Sequence, residues 1–234
     1  MIPVVQSEWR AELTEHGGAV IESVVSVREL SELLLRIKRD PLPRSRAGIR
    51  QALRHAAVRA VAHDPRLLSL AQAMLGPAAF PFRATLFDKS SQSNWLVVWH
   101  QDTALPLVRR IEAAGWGPWS TKDGFLYAHA PASALSQLLA LRLHLDDSTE
   151  HNGPLRILPG THTLGVLTDE RMAELAGSSR NTCSLTAAAG SIVAMRPLVV
   201  HSSQKAENHL QRRVLHIEYA SSGHFDAVEL AITE

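Results

Sequence analysis

From Phe80 onward the apolar residues of this chain come in short runs separated by turn formers. Runs of that length, bounded in that way, read as strands rather than helices. They place strands near 82–88, 95–100, 124–129, 138–146, 154–158, 182–185, 191–195, 198–201 and 212–219, with one inserted helix over 168–176. Many short strands joined by long, irregular connections point to a double-sheet jelly roll, not to a parallel α/β sheet.

The residues before Phe80 follow a different period. Ser7 is placed to cap a short helix running to about His16, Gly17 and Gly18 break it, and 19–25 reads as a strand. Ser26 with Glu29 three residues later is a capping box, and Leu30, Leu33, Leu34 and Ile37 then fall on one helical stripe. Asp40-Pro41-Leu42-Pro43 ends that helix. Helices over 47–62 and 65–75 follow, the last stopped by Gly76-Pro77. At 234 residues the chain is long enough to bury a large core. The expected organisation is one domain over 1–234: a mostly helical cover (1–79) on one face of a jelly-roll core (80–220). The fold class is mainly β, with a helical N-terminal part.

Charge narrows the partners. A formal net charge of +1 gives no argument for nucleic acid or an anionic membrane. The Arg44, Arg46, Arg50 and Arg54 patch reads as a solvated helix face. The single cysteine, Cys183, excludes an intramolecular disulfide and a cysteine-based zinc site. No stretch approaches the roughly 18–20 apolar residues of a membrane span, and residues 1–8 lack a basic start followed by a long apolar run. The expectation is a cytoplasmic protein acting on a small molecule, without nucleic acid or membrane.

The chemistry concentrates in Asn94-Trp95-Leu96-Val97-Val98-Trp99-His100-Gln101-Asp102. Strand side chains alternate faces, so His100 and Asp102 point the same way and can approach one cation together. His201 ends another apolar run a hundred residues later. Two histidines and one carboxylate, leaving open positions, make the facial triad of non-haem Fe(II) oxygenases. A second pair, His144-Leu145-Asp146, repeats the spacing. It leaves room for only about three strands before His201, against about five for His100, and reads as a hydrogen-bonded strand end.

The segment 211–219 adds a cation. An arginine there can lie beside His201 on a neighbouring strand, and a guanidinium grips a carboxylate bidentately. Such a grip suits the far carboxylate of 2-oxoglutarate, whose keto-acid end would chelate iron. Arg212 and Arg213 face opposite sides, so only one can serve; Arg212 is the choice. Ser203, two residues after His201, can add a hydroxyl.

In order, Leu86-Phe87-Asp88-Lys89, residues 94–102, Leu141 to Asp147, Asn152 to His162, His201-Ser202-Ser203 and Arg212 resemble the phytanoyl-CoA dioxygenase family of Fe(II)/2-oxoglutarate oxygenases. The resemblance is strong over 80–219 and looser before it. It implies a cupin-like double-stranded β-helix. It implies that His100, Asp102 and His201 are iron ligands and that Arg212 and Ser203 hold 2-oxoglutarate, with O₂ as the oxidising substrate. It also implies that 152–162 is a structural turn using Gly153 and Gly160, and that His144 and Asp146 belong to a strand-end motif. Halogenases of the family replace the carboxylate ligand by a small residue. With Asp102 present the resemblance implies hydroxylation, or another oxidation that begins with hydrogen abstraction, rather than halogenation, with release of succinate and CO₂.

The substrate pocket is expected in the loop 103–108 and around Gly115-Trp116-Gly117-Pro118-Trp119-Ser120, with Trp116 and Trp119 as a rim or lid, or else as core packing. Arg142 and His129 can reach a polar or anionic substrate group. The alternatives are desaturation, epoxidation or ring formation at the same site, a non-catalytic jelly-roll protein that binds metal or keto acid, and a zinc hydrolase. The last lacks a neighbouring general base and leaves Arg212 unexplained.

Overall fold

The computed structural model describes residues 8–45, 48–90, 93–179, 181–207 and 210–233. The chain runs through α1 (Glu8–His16), β1 (Gly18–Ile21), α2 (Val27–Arg39), β2 (Gly48–Ile49), α3 (Ala56–Ala62) and α4 (Pro65–Leu75) to the first long strand, β3 (Phe80–Lys89). Next come β4 (Val97–His100), β5 (Ala104–Leu107), β6 (Trp119–Lys122), β7 (Phe125–His129), the short helix α5 (Ala132–Leu135) and β8 (Leu138–His144). The last part holds β9 (Leu155–Ile157), α6 (Asp169–Ser178), β10 (Cys183–Leu185), β11 (Ile192–Met195), β12 (His201–Ser203), β13 (Arg212–Ala220) and a small hairpin of β14 (His224–Phe225) and β15 (Val228–Glu229).

Two antiparallel sheets carry the jelly roll. The major one has the order β1-β11-β8-β13-β3-β2, and the minor one β10-β9-β12-β4. A third sheet, β5-β7-β6, stands beside them. The strand period decides what each face of the major sheet does. Leu215, Ile217 and Tyr219 of β13, Leu139, Leu141 and Leu143 of β8, and Ala84 and Leu86 of β3 share one face and one apolar cluster. That cluster includes Leu13 of α1, Leu30, Leu33 and Ile37 of α2, and Leu67 and Leu70 of α4. The helices therefore cover the outer face of the major sheet. Each leucine or isoleucine fully buried there contributes about 1.5–3 kcal/mol. The α2 capping box is formed as expected: Ser26 Oγ accepts from the Glu29 amide, and Glu29 accepts from the Ser26 amide at 2.9 Å. The Tyr219 hydroxyl, buried on this face, donates to the Ala62 carbonyl at 2.8 Å.

The opposite face of the same strands is polar. Along β13 the residues Arg212, Val214, His216 and Glu218 look inward, and the register sets their neighbours. Arg212 lies opposite Lys89, Val214 between Phe87 and His144, His216 between Thr85 and Arg142, and Glu218 between Arg83 and Ala140. These four rungs form one wall of the barrel interior.

Several boundaries differ from the sequence reading. The expected helix over 47–62 is instead β2, a 3₁₀ turn over Ala52–Arg54 and the shorter α3. Gly48, at φ +132°, lies against β3 so closely that a Cβ would come 1.9 Å from the Leu86 carbonyl oxygen. Edge pairing of Gly48 and Ile49 with Phe87 and Leu86 overrides the helix propensity of the alanines that follow. Arg44 and Arg50 are accordingly not on a helix face: Arg44 pairs with Asp88 and Arg50 with Asp123, while Arg46 and Ser7, the expected helix cap, lie outside the described residues. The strand expected over 19–25 stops at Ile21. The strand expected over 198–201 is a turn at 197–200 followed by β12, because Pro197 has no amide to give a ladder. The expected loop 103–108 contains β5, paired with β7.

Candidate metal centre

His100 ends β4, and His201 opens β12 directly opposite it in the ladder. Asp102 lies just past the strand, where its amide donates to the Pro197 carbonyl at 2.9 Å. Between them Gln101 points the other way and is buried. Its amide nitrogen donates to the Gly165 and Leu198 carbonyls (2.9 and 2.7 Å), and its oxygen accepts from the Leu167 amide (2.8 Å). The alternation that presents His100 and Asp102 together therefore also uses the intervening residue to pin the strand end.

Each histidine is oriented by its own backbone. His100 Nδ1 lies 2.8 Å from the Val98 carbonyl and His201 Nδ1 2.9 Å from the Val199 carbonyl. A carbonyl accepts only, so each Nδ1 carries a proton and each Nε2 is the ring atom left to ligate. Both Nε2 atoms face Asp102: His100 Nε2 is 3.6 Å from one carboxylate oxygen and His201 Nε2 3.5 Å from the other. Burial opposes charge on His100, but Asp102 raises it above its ordinary value, and a bound cation would displace that proton. One ligand atom from each of the three residues lies within 4.8 Å of the other two. Cis ligands on a metal with bonds of about 2.1 Å stand roughly 3 Å apart, so small adjustments close this set around one ion. Burial lowers His201 to about pH 4, which keeps it neutral and ligating. Burial acts against the Asp102 charge, but His201 and His100 more than offset it, and its carboxyl is held well below the usual range. Two imidazoles and one carboxylate would occupy one side of a bound ion and leave its other positions free.

The centre opens into a cavity of about 320 Å³ whose wall includes Arg212, His216 and Glu218 of β13 and Arg83, Thr85, Phe87 and Lys89 of β3. At one end sits a cation cluster. Arg212 Nε donates to the Asn152 carbonyl (3.2 Å) and its Nη2 to Ser203 Oγ (3.3 Å). Lys89 Nζ donates to the same hydroxyl (2.9 Å) and to the Gln204 carbonyl (2.6 Å). Ser203 passes its own proton to the Gly153 carbonyl at 2.8 Å. Burial and the neighbouring arginines lower Lys89 to about pH 7, and burial with Arg142 lowers Arg212 to about 9. Two buried cations on one hydroxyl, with no carboxylate among the described residues, form a receptor for an anion. Arg213, on the other face of β13, forks onto Asp146 at 2.8 and 2.6 Å.

The remaining expected residues divide. Arg142 lines the cavity; Trp116 and Trp119 do not. Trp116 stacks on Phe225 with centroids 6.3 Å apart, Trp119 opens β6 under Arg110, and both pack on the apolar cluster of the third sheet. The expected rim is thus core packing. His129 is outside the cavity lining, with its Nδ1 2.7 Å from Thr103 Oγ1. His144 and Asp146 are apart from the triad. Asp146 serves Arg213, while His144 is fully buried with neither ring nitrogen hydrogen-bonded and is lowered by burial to about pH 3.

Sequence reasoning missed two features. Lys89 lies on the inward face of β3, and its place in the alternation with Thr85 and Phe87 was the available signal. The cavity mouth is framed by Arg50 and Gln51 on one side and Lys122 and Asp123 on the other, with Gln51 Nε2 donating to the Asp123 carbonyl at 2.9 Å. No local pattern announces that pairing across 72 residues.

Comparison with known proteins is consistent with this geometry. The profile of the phytanoyl-CoA dioxygenase (PhyH) family matches residues 13–214. The L-proline trans-4-hydroxylase of Streptomyces griseoviridis is 28% identical over 180 residues, which are 66% of this chain and 59% of that enzyme. The chain thus spans about three fifths of the length of that curated relative. AviO1 from Streptomyces viridochromogenes superposes with a TM-score of 0.65 at 21% identity, covering 99% of this chain and all of AviO1. HygX from Streptomyces hygroscopicus, solved with nickel and 2-oxoglutarate, superposes with a TM-score of 0.64 at 14% identity, covering 91% of this chain and 85% of HygX.

Proposed function

The chain belongs to the phytanoyl-CoA dioxygenase family, and on that premise we propose that it is an Fe(II)- and 2-oxoglutarate-dependent oxygenase that hydroxylates a small molecule with release of succinate and CO₂. One observation carries this reading. A two-histidine, one-carboxylate set and a buried cation cluster share a single cavity of about 320 Å³. A binding protein has no need of open metal positions beside a carboxylate receptor, and a zinc hydrolase has no use for the receptor.

His100, Asp102 and His201 would hold the iron. The donor set fits it: borderline imidazole nitrogens and a hard carboxylate oxygen, with no thiolate. Bound iron with the keto acid and O₂ supplies an oxidant strong enough to take hydrogen from a C–H bond. The chain's own work is positional. Arg212 and Lys89 take the far carboxylate of 2-oxoglutarate, and Ser203 accepts from both and keeps them convergent. The backbone carbonyls behind His100 and His201 fix which ring nitrogen faces the metal. Leu155, Val97, Phe87 and Trp95 give the cavity apolar surface that limits water. No side-chain base is needed, and none is nominated.

The test is anaerobic titration of the purified protein with Fe(II) and 2-oxoglutarate, followed in the visible range. The expected result is the weak charge-transfer band of an iron-chelated keto acid. Iron binding without that band would overturn the reading and leave a metal-binding protein or a hydrolase.

A further inference from the structure

Among the described residues, Arg142 is a buried cation of the inner wall that neither the metal set nor the cosubstrate receptor employs and that no carboxylate pairs with. Only 8% of its surface is exposed, and it lines the cavity. Its one hydrogen bond among the described residues runs from Nη1 to His216 Nδ1 at 3.0 Å, and its Nε is buried without a partner. The guanidinium lies over the Phe87 ring, with Cζ 5.6 Å from its centroid. No described carboxylate comes within ion-pair distance of it. The other arginines that line the cavity outside the receptor are matched, Arg83 by Glu218 and Arg50 by Asp123.

Buried charges are ordinarily paired, because burial without a counter-ion is costly. The charge count leaves Arg142 over. A divalent metal with Asp102 and the near carboxylate of 2-oxoglutarate is neutral, and the far carboxylate belongs to Lys89 and Arg212. Arg142 stands opposite His216, four residues along β13 from Arg212, or roughly 13 Å at the usual strand rise. Both ends of 2-oxoglutarate are then engaged, the far carboxylate at Lys89 and Arg212 and the keto-acid end at the metal, so the Arg142 fork is left for another anion. His216 adds a donor there. With Nδ1 accepting from Arg142, its proton sits on Nε2, 3.7 Å from the nearest Glu218 oxygen and beyond a good hydrogen bond. The third rung therefore presents a guanidinium and an imidazole N–H next to the metal, with a carboxylate-binding fork unfilled.

We infer that this rung is the substrate anchor, and that the substrate is a small molecule carrying a carboxylate that docks on Arg142 and His216. The inference rests on the oxygenase reading and names its substrate class. A carboxylate fits better than a bulkier anion because the cavity is near the lower end of ligand pockets and is shared with the cosubstrate. Held there, the substrate's carboxylate fixes one end and leaves a carbon a few bonds away facing the metal.

The experiment uses anaerobic protein loaded with Fe(II) and saturating 2-oxoglutarate, with the visible band already recorded. Propionate and L-proline are then titrated in parallel with propionamide and L-prolinamide, and band shift and calorimetric heat are read. The expected result is that the acids bind and the amides bind at least tenfold more weakly. In Arg142→Gln the preference for acids is lost, while 2-oxoglutarate, titrated at pH 6 so that Lys89 is protonated in both proteins, changes in affinity by much less than tenfold; Arg142→Lys recovers part of the preference. Equal binding of acids and amides, or an unchanged preference in Arg142→Gln, overturns the inference and leaves the oxygenase reading intact. A tenfold loss of 2-oxoglutarate affinity in Arg142→Gln also overturns it, by assigning Arg142 to the cosubstrate. Failure of the band in the wild type is the separate failure of the oxygenase reading.

Discussion

His201 stands across the ladder from His100, with ring centroids 4.1 Å apart, although a hundred residues of chain separate them. The two rings approach because β12 and β4 are hydrogen-bonded neighbours, and each ring is locked to the carbonyl two residues before it. Asp102 completes the set from just beyond the strand end. The site is therefore fixed by backbone pairing rather than by a flexible loop, and its donors are in place before any ion arrives.

Asp102→Ala removes one of three ligands. Loss of an outer hydrogen-bond partner alone costs metal affinity about 10–100-fold, so loss of a ligand should cost on the order of 100-fold or more. Asp146→Ala, the competing H-x-D aspartate, should leave metal affinity within a few-fold. Competition against a chromophoric chelator measures both. Loss of metal in Asp146→Ala with retention in Asp102→Ala would reassign the centre.

Arg212→Gln should weaken 2-oxoglutarate about 10–100-fold with little change in metal affinity, since a charge-assisted fork is worth roughly 1.5–3 kcal/mol. Arg213→Gln should leave 2-oxoglutarate binding unchanged. Its partner Asp146 is partly exposed, so the lost ion pair should cost no more than about 1 kcal/mol in urea unfolding. The opposite pattern would mean that the cosubstrate meets the other face of β13.

The triad and the arginine were legible in the sequence because strand alternation acts over two residues. His100 with Asp102, and Arg212 against Arg213, are local facts of a pleated chain. Strand pairing is not local. Lys89 reaches Ser203 over 114 residues, and Gln51 reaches Asp123 over 72. Helix 47–62 was misread because its alanines and arginines have good helix propensity, whereas Gly48 is bound by the edge of β3. Trp116 and Trp119 stay undecided in the sequence, between rim and core, because glycines and prolines around a tryptophan look the same in a lid and in a packed loop. Only the third sheet, with Phe225 beneath Trp116, decides between them.

Lys89 makes the cosubstrate site pH-sensitive. Burial first, then Arg212 and Arg142, lower it to about pH 7. A dicarboxylate binds the protonated form better, so affinity should be greatest below pH 7 and fall as pH rises above it. In Lys89→Met the affinity should be weaker and nearly flat between pH 6 and 8.5. Stability of the ligand-free protein should move the other way. Between about 7 and the ordinary lysine value the unfolded chain holds the proton and the folded one does not, so this residue's contribution to stability rises with pH over that window. Calorimetric titration of 2-oxoglutarate at the two pH values, with thermal unfolding alongside, checks both signs. A wild-type affinity independent of pH would show that Lys89 does not face the ligand.

Gly153 links the fold to the receptor. Its φ of +72° is left-handed, and a Cβ there would lie 2.3 Å from the Gln204 carbonyl oxygen and 3.0 Å from Lys89 Nζ. Both it and Asn152 turn their carbonyls toward the cluster, Asn152 onto Arg212 and Gly153 onto Ser203. Gly153→Ala should therefore act twice. Left-handed strain and the clash should cost about 2 kcal/mol or more, lowering Tm by roughly 4–8 °C for a chain of this size. The displaced carbonyls should also loosen Arg212 and Ser203, weakening 2-oxoglutarate several-fold while leaving the metal centre on β4 and β12 its affinity. Gly165→Ala is the control: its φ is also positive, at +76°, but a Cβ there meets nothing within 4 Å. With ψ −160° it sits in a region used almost only by glycine, so it should carry only the backbone strain, about 1–3 kcal/mol, with no change in 2-oxoglutarate affinity. If the two variants weaken 2-oxoglutarate equally, the turn at Asn152–Gly153 does not shape the receptor.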